Sequence, residues 1–374
     1  MMPLMRNLRD HVVITIYALI CSIFYFGVAY PDSRFYIPTT RYFLGIADRP
    51  HPIGFAIRPL VPIIVSPLNL ILDVRTSYGI INSLFGLLSA NLIYLTTKEL
   101  LGSRRSGLYS SLLLSGSLPF ILFFPSIMTE SGGCFFSILT IYIWIKLSKG
   151  DANLMKWLAA FTLLGVGALS REIVYPAALS ALLLTLVEKK SLRKSLACFS
   201  ILIVPIIWNI FATILVNYNY VSHYLLAMEW FGKPVESNPI DVIKAFILGH
   251  FPYAILGLTI GFLLEKDRLT NLRFYCLLFP AITAFLVWPY RDLRIAAASF
   301  YATMIVSGHG MWLITESLTQ KPILNRIGRR AIDIIIFSTQ VIISVMYGYN
   351  ALGFMSPPWS PHDFSPSTLL EGLK

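Results

Sequence analysis

Apolar runs recur along almost the whole chain, and only short charged segments separate them. Of the 374 residues, 56% are hydrophobic and 13% are charged, whereas a soluble domain usually carries about 25% charged residues. So few charges cannot cover a water-exposed surface, but they suffice when lipid is the solvent. Because membrane spans must satisfy their backbone polar groups internally, the sequence predicts an all-α fold: a polytopic transmembrane helix bundle forming one domain over residues 1–374.

The apolar runs predict about eleven spans, since a helix needs about 20 residues to cross the hydrocarbon. The predicted helices lie near residues 11–30, 76–97, 106–127, 131–146, 157–170, 173–187, 196–217, 248–264, 274–288, 295–315 and 332–349. The first run resembles a secretory signal peptide, but it is long enough to span and no small-residue cleavage site follows it. We therefore expect it to be a retained helix.

The 30 lysines and arginines are distributed unevenly between alternate loops, and most of them lie in one set of short loops. Basic residues favour the cytoplasmic side, so we expect the N-terminus in the cytoplasm and the C-terminus outside. This orientation requires two hairpins, with outer turns at residues 171–172 and 289–294. It also predicts two long outer loops, at residues 31–75 and 218–247.

The first outer loop contains an apolar stretch that does not look like a span. Pro59, Pro62 and Pro67 interrupt residues 57–72, and proline in a helix interior removes a hydrogen bond and clashes with the preceding turn. We expect short interfacial helices here, packed on the rest of the protein. Both long loops are rich in aromatic residues, which argues against disorder.

Several functional classes are excluded or unsupported. The net charge of +11 comes from scattered clusters that form no continuous basic stripe, so nucleic acid is not an expected partner. The four cysteines lie in apolar runs without close pairing, as expected for small buried side chains. No nucleotide-binding or serine-hydrolase motif is present, and no histidine spacing indicates a metal site.

Three acidic residues lie where predicted helices meet the outer surface: Asp32, Glu130 and Glu172. A carboxylate at this boundary with a cation nearby stays ionised, so it can act as a base or hold a metal. The alternative is that each is a helix-end charge that fixes depth in the membrane.

Arginines form a second outer group that includes Arg34, Arg58, Arg171, Arg291 and Arg294. Positive charge is disfavoured on this side, and the planar guanidinium suits phosphate, which lipids place at this depth. The alternative is pairing with sequence neighbours, Arg171 with Glu172 and Arg291 with Asp292.

Short motifs in the first half of the chain resemble the GT-C superfamily of polytopic glycosyltransferases. They are DSRFY at residues 32–36, RYFLG at 41–45, RPLVP at 58–62, TES at 129–131 and LSRE at 169–172. The resemblance covers about the first 190 residues in motif order, and the remainder in hydropathy alone.

The resemblance implies a polyprenyl- or dolichyl-phosphate sugar as donor and a lipid or glycan hydroxyl as acceptor. Asp32 would be the catalytic acidic residue of the first loop and Glu130 the second acidic residue. The substrate-binding candidates are Arg34, Tyr36, Arg58, Arg171, Glu172, Arg291 and Arg294. The family's double acid is missing at Asp32, which leaves dependence on Mg²⁺ or Mn²⁺ open. No large soluble C-terminal domain is seen, which suggests a small acceptor.

Two other functions remain open at this point. A glycan polymerase or ligase of the O-antigen type would depend on arginine and histidine rather than Asp32. A lipid or solute transporter would place charges in the middle of its spans, and many transporters carry an internal repeat that this sequence lacks. The membrane would be the plasma membrane in a prokaryote and the endoplasmic reticulum in a eukaryote.

Overall fold

The computed structural model describes residues 2–30, 32–150, 152–231, 239–287, 293–320 and 328–354, and its regular elements there are all helical, as the sequence predicts. The α-helices are α1 (Met2–Ile23), α2 (Ser33–Phe43), α3 (Pro52–Ala56), α4 (Leu60–Leu68), α5 (Val74–Leu101), α6 (Arg104–Ser115), α7 (Leu118–Phe123), α8 (Glu130–Lys149), α9 (Leu154–Ala168), α10 (Val174–Leu184), α11 (Leu192–Ala197), α12 (Ile203–Val216), α13 (Tyr220–Phe231), α14 (Pro239–Gly249), α15 (Ala254–Leu264), α16 (Arg268–Val287), α17 (Phe300–Thr319) and α18 (Arg329–Phe354). A π-helix at Thr185–Lys189 extends α10, and 3₁₀-helices at Cys198–Leu202 and Leu293–Ser299 lead into α12 and α17.

Long apolar helices identify the bundle as that of an integral membrane protein. Among the described residues, five stretches are long and apolar enough to cross a membrane: Val74–Leu101, Glu130–Lys149, Leu192–Val216, Arg268–Leu286 and Arg330–Gly348. The pair Val242–Gly249 and Ala254–Leu264, bent by 94°, adds a sixth if it acts as one broken span. The count of about eleven spans stays a prediction, since it also needs shorter helices to cross.

Local sequence signals set the ends of α5 and α6. The Asp73 carboxylate accepts hydrogen bonds from the backbone N–H groups of Arg75 and Thr76 and so caps the start of α5. Gly102 ends α5 with φ 67°, in the left-handed region that glycine adopts without strain. Ser103 then caps α6 through its hydroxyl. Two residues therefore suffice to reverse the chain into an antiparallel helix pair.

Small residues let α17 approach its neighbours closely. A methyl group on Gly310 would overlap the Gly257 carbonyl oxygen of α15, and one on Gly308 would overlap Ser110 of α6. Helices in membranes associate through such backbone-to-backbone contacts, because lipid supplies little hydrophobic force between them. The Gly308 contact holds the second half of the chain against the first, and the Gly310 contact joins two helices within the second half.

The region predicted as the first outer loop carries the short helices α2, α3 and α4, as expected. Helix α4 has nine residues, too few to span a bilayer. The predicted second loop contains α13 and part of α14, while residues 232–238 lie outside the described part. The helix predicted at 248–264 is wrong in its first turn, since the chain breaks between α14 and α15 at Pro252, which has no N–H to donate.

Candidate active site

Four segments at helix ends converge at the side of the bundle that the sequence predicts to face outward. They are the start of α2, the α3–α4 junction, the start of α8 and the α9–α10 turn. Their side chains include Tyr36, Arg58, Glu130, Arg171 and Glu172, which the structure brings together in one buried cluster.

Asn82 of α5 holds the segment that leads into α8. Its amide nitrogen donates to the carbonyl oxygens of Ser126 and Met128, at 2.6 and 2.9 Å, and its amide oxygen accepts from Ser131 at 2.8 Å. Asn82 is fully buried, so these three bonds satisfy polar groups that water cannot reach. Asn82 thereby holds the backbone before Glu130 and the Ser131 side chain after it, a role that no sequence motif indicates.

Asp32 lies at the N-terminus of α2, half-buried, and its side chain does not cap the helix. The next residue, Ser33, donates to the Ile127 carbonyl oxygen at 2.9 Å, which anchors this end of α2 beside the start of α8. The Asp32 charge acts on both Arg58 and His223. Asp32 is therefore at the edge of the cluster, close enough for its charge to act on two of the neighbouring side chains.

Arg58 and Glu172 form a bidentate ion pair. Arg58 Nε donates to Glu172 Oε2 at 3.1 Å and Nη2 donates to Oε1 at 2.7 Å, while Nη1 donates to the Tyr36 hydroxyl at 2.9 Å. The side chains are 5% and 11% exposed. Two parallel charge-assisted bonds of this kind fix the orientation of the guanidinium and also strengthen the ion pair.

Arg171 and Glu130 form a second pair with different geometry. Arg171 Nη1 lies 2.8 Å from Glu130 Oε1, with side chains 3% and 1% exposed. The two atoms are close, yet Oε1 has no hydrogen-bond partner among the described residues. The contact is therefore too poorly aligned to be a hydrogen bond. Oε2 instead accepts from the Thr129 backbone N–H at 3.0 Å, and Nη1 also donates to the Thr129 hydroxyl at 3.3 Å.

The two ion pairs are connected, and neither of them joins residues that are adjacent in sequence. Tyr36 links them, since its hydroxyl contacts Arg58 Nη1 at 2.9 Å and the Thr129 hydroxyl at 3.4 Å. The sequence alternative that Arg171 pairs with its neighbour Glu172 is wrong: Glu172 reaches back to Arg58, and Arg171 reaches Glu130. Crossed pairing fastens the first loop and the α9–α10 turn to the α8 terminus.

The charges of this cluster stabilise one another. Burial raises the pKa of Glu172, but the attraction of Arg58 and then Arg171 outweighs it and lowers the pKa to about 2. Burial likewise opposes the charge of Arg58, yet Glu172 holds its pKa above the ordinary value. Both partners therefore stay charged at neutral pH despite their burial.

Gly133 makes room for this arrangement. A methyl group on Gly133 would lie 2.6 Å from Arg171 Cβ and 2.8 Å from Ile173 Cδ1. The absence of a side chain thus allows the α9–α10 turn to close on the first turn of α8.

Helix α13 contributes a face that the sequence analysis missed. His223 contacts the Tyr218 hydroxyl through Nδ1 at 3.3 Å. Burial, and then the positive charge of Arg58, lower the pKa of His223 to about 4, with smaller effects from Glu172, Asp32 and Arg171. Tyr220 is raised in pKa by burial and by Glu172. The spacing of Tyr220, His223 and Tyr224 places all three on one side of a helix, which is the signal that could have found them.

One predicted site residue, Arg34, does not join the buried cluster, and two others cannot be placed by the described part of the chain. Arg34 is exposed, with its guanidinium carbon 4.9 Å from the centre of the Phe35 ring. Arg291 lies outside the described residues, together with Asp292 and so with their predicted pairing. Arg294 lies in the 3₁₀-helix Leu293–Ser299, and its side chain is outside the described part.

The cluster does not fit Mg²⁺ or Mn²⁺. These ions need several oxygen ligands in near-octahedral geometry, whereas Glu130 and Glu172 each face a guanidinium. The described residues contain no group of three or more His, Cys, Asp or Glu that could hold a metal.

The part of the chain that carries most of this cluster matches a known protein family. Residues 51–216, which carry Arg58, Glu130, Arg171 and Glu172, match a family model described as dolichyl-phosphate-mannose-protein mannosyltransferase. Curated protein sequences give no significant match.

Two solved structures share the fold at low sequence identity. ArnT from Cupriavidus metallidurans bound to undecaprenyl phosphate has a TM-score of 0.60 and 14% identity, over 84% of this chain and 64% of ArnT. The archaeal oligosaccharyltransferase AglB from Archaeoglobus fulgidus, in complex with an inhibitory peptide and a dolichol-phosphate, has a TM-score of 0.59 and 13% identity, over 94% of this chain and 58% of AglB. The chain thus spans about three fifths of their length. Its fold is that of the GT-C membrane glycosyltransferases, as the motifs of its first half predict.

Proposed function

We propose that this protein transfers a sugar from a polyprenyl- or dolichyl-phosphate donor to a hydroxyl of a lipid or glycan acceptor. The transfer takes place on the non-cytoplasmic face of the membrane and inverts the anomeric carbon. The observation that carries the proposal is the buried, crossed pair of arginines and glutamates beside Asp32, at the end of a bundle with the GT-C fold. Both solved relatives contain a polyprenyl-type phosphate.

Arg171 is the best-placed group for the donor phosphate. Within the part of the chain that the structure describes, its polar contacts run through Nη1, which leaves Nε and Nη2 to bind phosphate oxygens. A guanidinium is suited to this because its planar fork matches two oxygens at once. Arg58 adds a second fixed positive charge, and the Tyr36 hydroxyl between them supplies a further donor.

The reaction then needs a base for the acceptor hydroxyl. In the proposed step the acceptor oxygen attacks the anomeric carbon, the bond from that carbon to the phosphate oxygen breaks, and the hydroxyl proton passes to Asp32. The polyprenyl phosphate leaves with the bonding electrons, and the guanidinium charges stabilise it in a site that excludes water. Attack opposite the leaving group inverts the carbon.

Glu130 and His223 have supporting roles in this proposal. Glu130 orients Arg171, and its Oε1, which has no hydrogen-bond partner among the described residues, can accept a hydrogen bond from a substrate hydroxyl. His223 is neutral at physiological pH, so it can hydrogen-bond to a sugar without adding charge. The tyrosines at 220 and 224 add aromatic surface beside it.

The two rival functions predict different residues. A polymerase or ligase that depends on arginine and histidine would keep its activity without the Asp32 carboxylate. A transporter would move its substrate across a sealed vesicle even with Asp32 and Glu130 neutralised. In this structure the site charges cluster at helix ends, which favours chemistry at the membrane surface.

The test is an Asp32→Asn variant in proteoliposomes supplied with polyprenyl-phosphate sugars, with sugar transfer and polyprenyl phosphate release as readouts. Loss of a general base should lower the rate by about 100-fold or more. The matched control is Asp73→Asn, an exposed residue whose helix cap asparagine can replace, and it should keep full activity. Full transfer by Asp32→Asn would exclude the proposed mechanism and favour the ligase.

A further inference from the structure

A cavity of about 470 Å³ lies between α5, α8, α16 and the π-helix. Its volume is in the range of small-molecule binding sites, roughly 300–1,000 Å³. The lining residues are Glu99, Leu100, Trp144, Ile145, Ser148, Lys149, Glu188, Lys189 and Arg273. None of them belongs to the candidate active site.

The cavity and the active site are at opposite ends of the same helices. Helix α8 begins with Glu130 in the active site and ends with Ser148 and Lys149 at the cavity. Its 20 residues span about 30 Å, which is the thickness of a bilayer's hydrocarbon core. The α9–α10 turn and the π-helix repeat this relation at the two ends of α10. We therefore expect the cavity at the depth of the lipid headgroups of the leaflet opposite the active site.

The cavity carries excess positive charge. Glu99 pairs with both Lys146 and Lys149, at 3.0 and 2.6 Å, and Glu188 pairs with Arg273 at 2.7 Å. Lys189 is exposed and takes part in no ion pair within the described residues. Three lining cations, Lys149, Lys189 and Arg273, thus face two lining carboxylates, which gives the cavity a net charge of +1. Lys146, which does not line the cavity, adds one more positive charge beside Glu99.

One polar side chain that lines the cavity, Ser148, lacks a hydrogen-bond partner in the described part of the chain. Its hydroxyl is buried, a cost that a ligand acceptor would remove. Trp144 is held by a bond from its indole N–H to Thr185 at 2.9 Å. The wall that carries Glu188 and Lys189 is the π-helix, an element that often marks functional sites.

We propose that this cavity binds the phosphate headgroup of an anionic phospholipid from the leaflet opposite the active site. Basic pockets between transmembrane helices at this depth suit such headgroups. Lys149, Lys189 and the Ser148 hydroxyl are the phosphate donors. The lipid links α5, α8 and α16 at the end of the bundle far from the chemistry. This assignment does not depend on the glycosyltransferase activity.

The test uses the full-length protein, delipidated in detergent and offered equal amounts of phosphatidylglycerol and phosphatidylcholine. Native mass spectrometry counts the retained lipids, and titration gives the apparent affinity. Lys149→Gln/Lys189→Gln should weaken phosphatidylglycerol binding by about 30-fold, which corresponds to about 1 kcal/mol for each charge. Lys146 still neutralises Glu99 in this variant. Ser148→Leu, which fills the cavity and keeps every charge, should weaken binding as well.

The matched control is Lys190→Gln/Arg193→Gln, which removes the same charge from neighbouring residues that do not line the cavity. It should bind phosphatidylglycerol like the wild type. Equal losses in both double variants would mean general attraction to a basic surface and overturn the proposal. Equal retention of the two lipids by the wild type would also overturn it. Displacement of phosphatidylglycerol by an equal concentration of inorganic phosphate would overturn the assignment to a lipid.

Discussion

The two ion pairs of the candidate site contain the same residue types and are both buried, yet they differ in how completely they are satisfied. Arg58 gives three aligned hydrogen bonds, two to Glu172 and one to Tyr36. Arg171 meets Glu130 through one poorly aligned contact, and Glu130 Oε1 has no hydrogen-bond partner in the described part of the chain.

This difference suggests a division of labour. A fully bonded pair fixes structure, because any ligand would first have to break aligned bonds in a low-dielectric site. An incompletely bonded pair is costly without a ligand and gains most when one arrives. We therefore expect the Arg58 pair to hold the first loop on the bundle, and the Arg171 pair to bind the substrate.

The largest expected effect comes from breaking the fully bonded pair, Arg58–Glu172. Arg58→Met leaves Glu172 buried without its partner, which typically costs about 3–5 kcal/mol. We expect a lower midpoint of thermal unfolding in detergent and little folded protein. Arg58→Met/Glu172→Met removes both charges and should recover most of that stability. If the double variant is no more stable than the single one, the instability of Arg58→Met does not come from leaving Glu172 buried without its partner.

The second prediction concerns the incompletely bonded pair, Arg171–Glu130. Arg171→Lys keeps the charge and removes the fork of donors, so kcat should fall by about 100-fold, the effect of losing one transition-state donor. The unfolding midpoint should move much less than in Arg58→Met. Arg75→Lys, at an exposed position on α5, is the control and should be unchanged. A stability loss as large as that of Arg58→Met, with normal turnover, would reverse the roles of the two pairs.

Much of the fold could be predicted from the sequence because hydropathy and basic clusters record it directly. The helix breaks could not, since they depend on tertiary contacts. The 106–127 run divides at Gly116, where a side chain would overlap Tyr17 and Gln340. Neither residue is near Gly116 in sequence.

The candidate site was predicted in part for a related reason. Charges at helix ends stand out against an apolar background, so Glu130, Arg171 and Glu172 were visible. Their partners were not, because Arg58 and Glu172 are 114 residues apart. His223 gives no comparable signal, because its sequence spacing fits no metal site and its place in the cluster depends on where α13 packs.

The smallest expected effect comes from His223, which lies beside both pairs. Its pKa is lowered from 6.5 to about 4, so the folded protein binds fewer protons there than the unfolded chain. His223 therefore contributes stability that is complete above about pH 6.5 and is lost as the pH falls towards 4. We estimate that loss at about 1–2 kcal/mol, after discounting for its partial exposure. His223→Gln should accordingly flatten the decline of the unfolding midpoint between pH 6.5 and 4, and lower transfer by about fivefold through one lost hydrogen bond. The groups around His223 — Asp32, Arg58, Arg171, Glu172 and Tyr218 — are unchanged in this variant, so they cannot account for the difference. An identical pH slope in His223→Gln would mean that α13 does not bury this histidine against the arginines. Helix α13 would then not form part of the site around the Arg171–Glu130 pair.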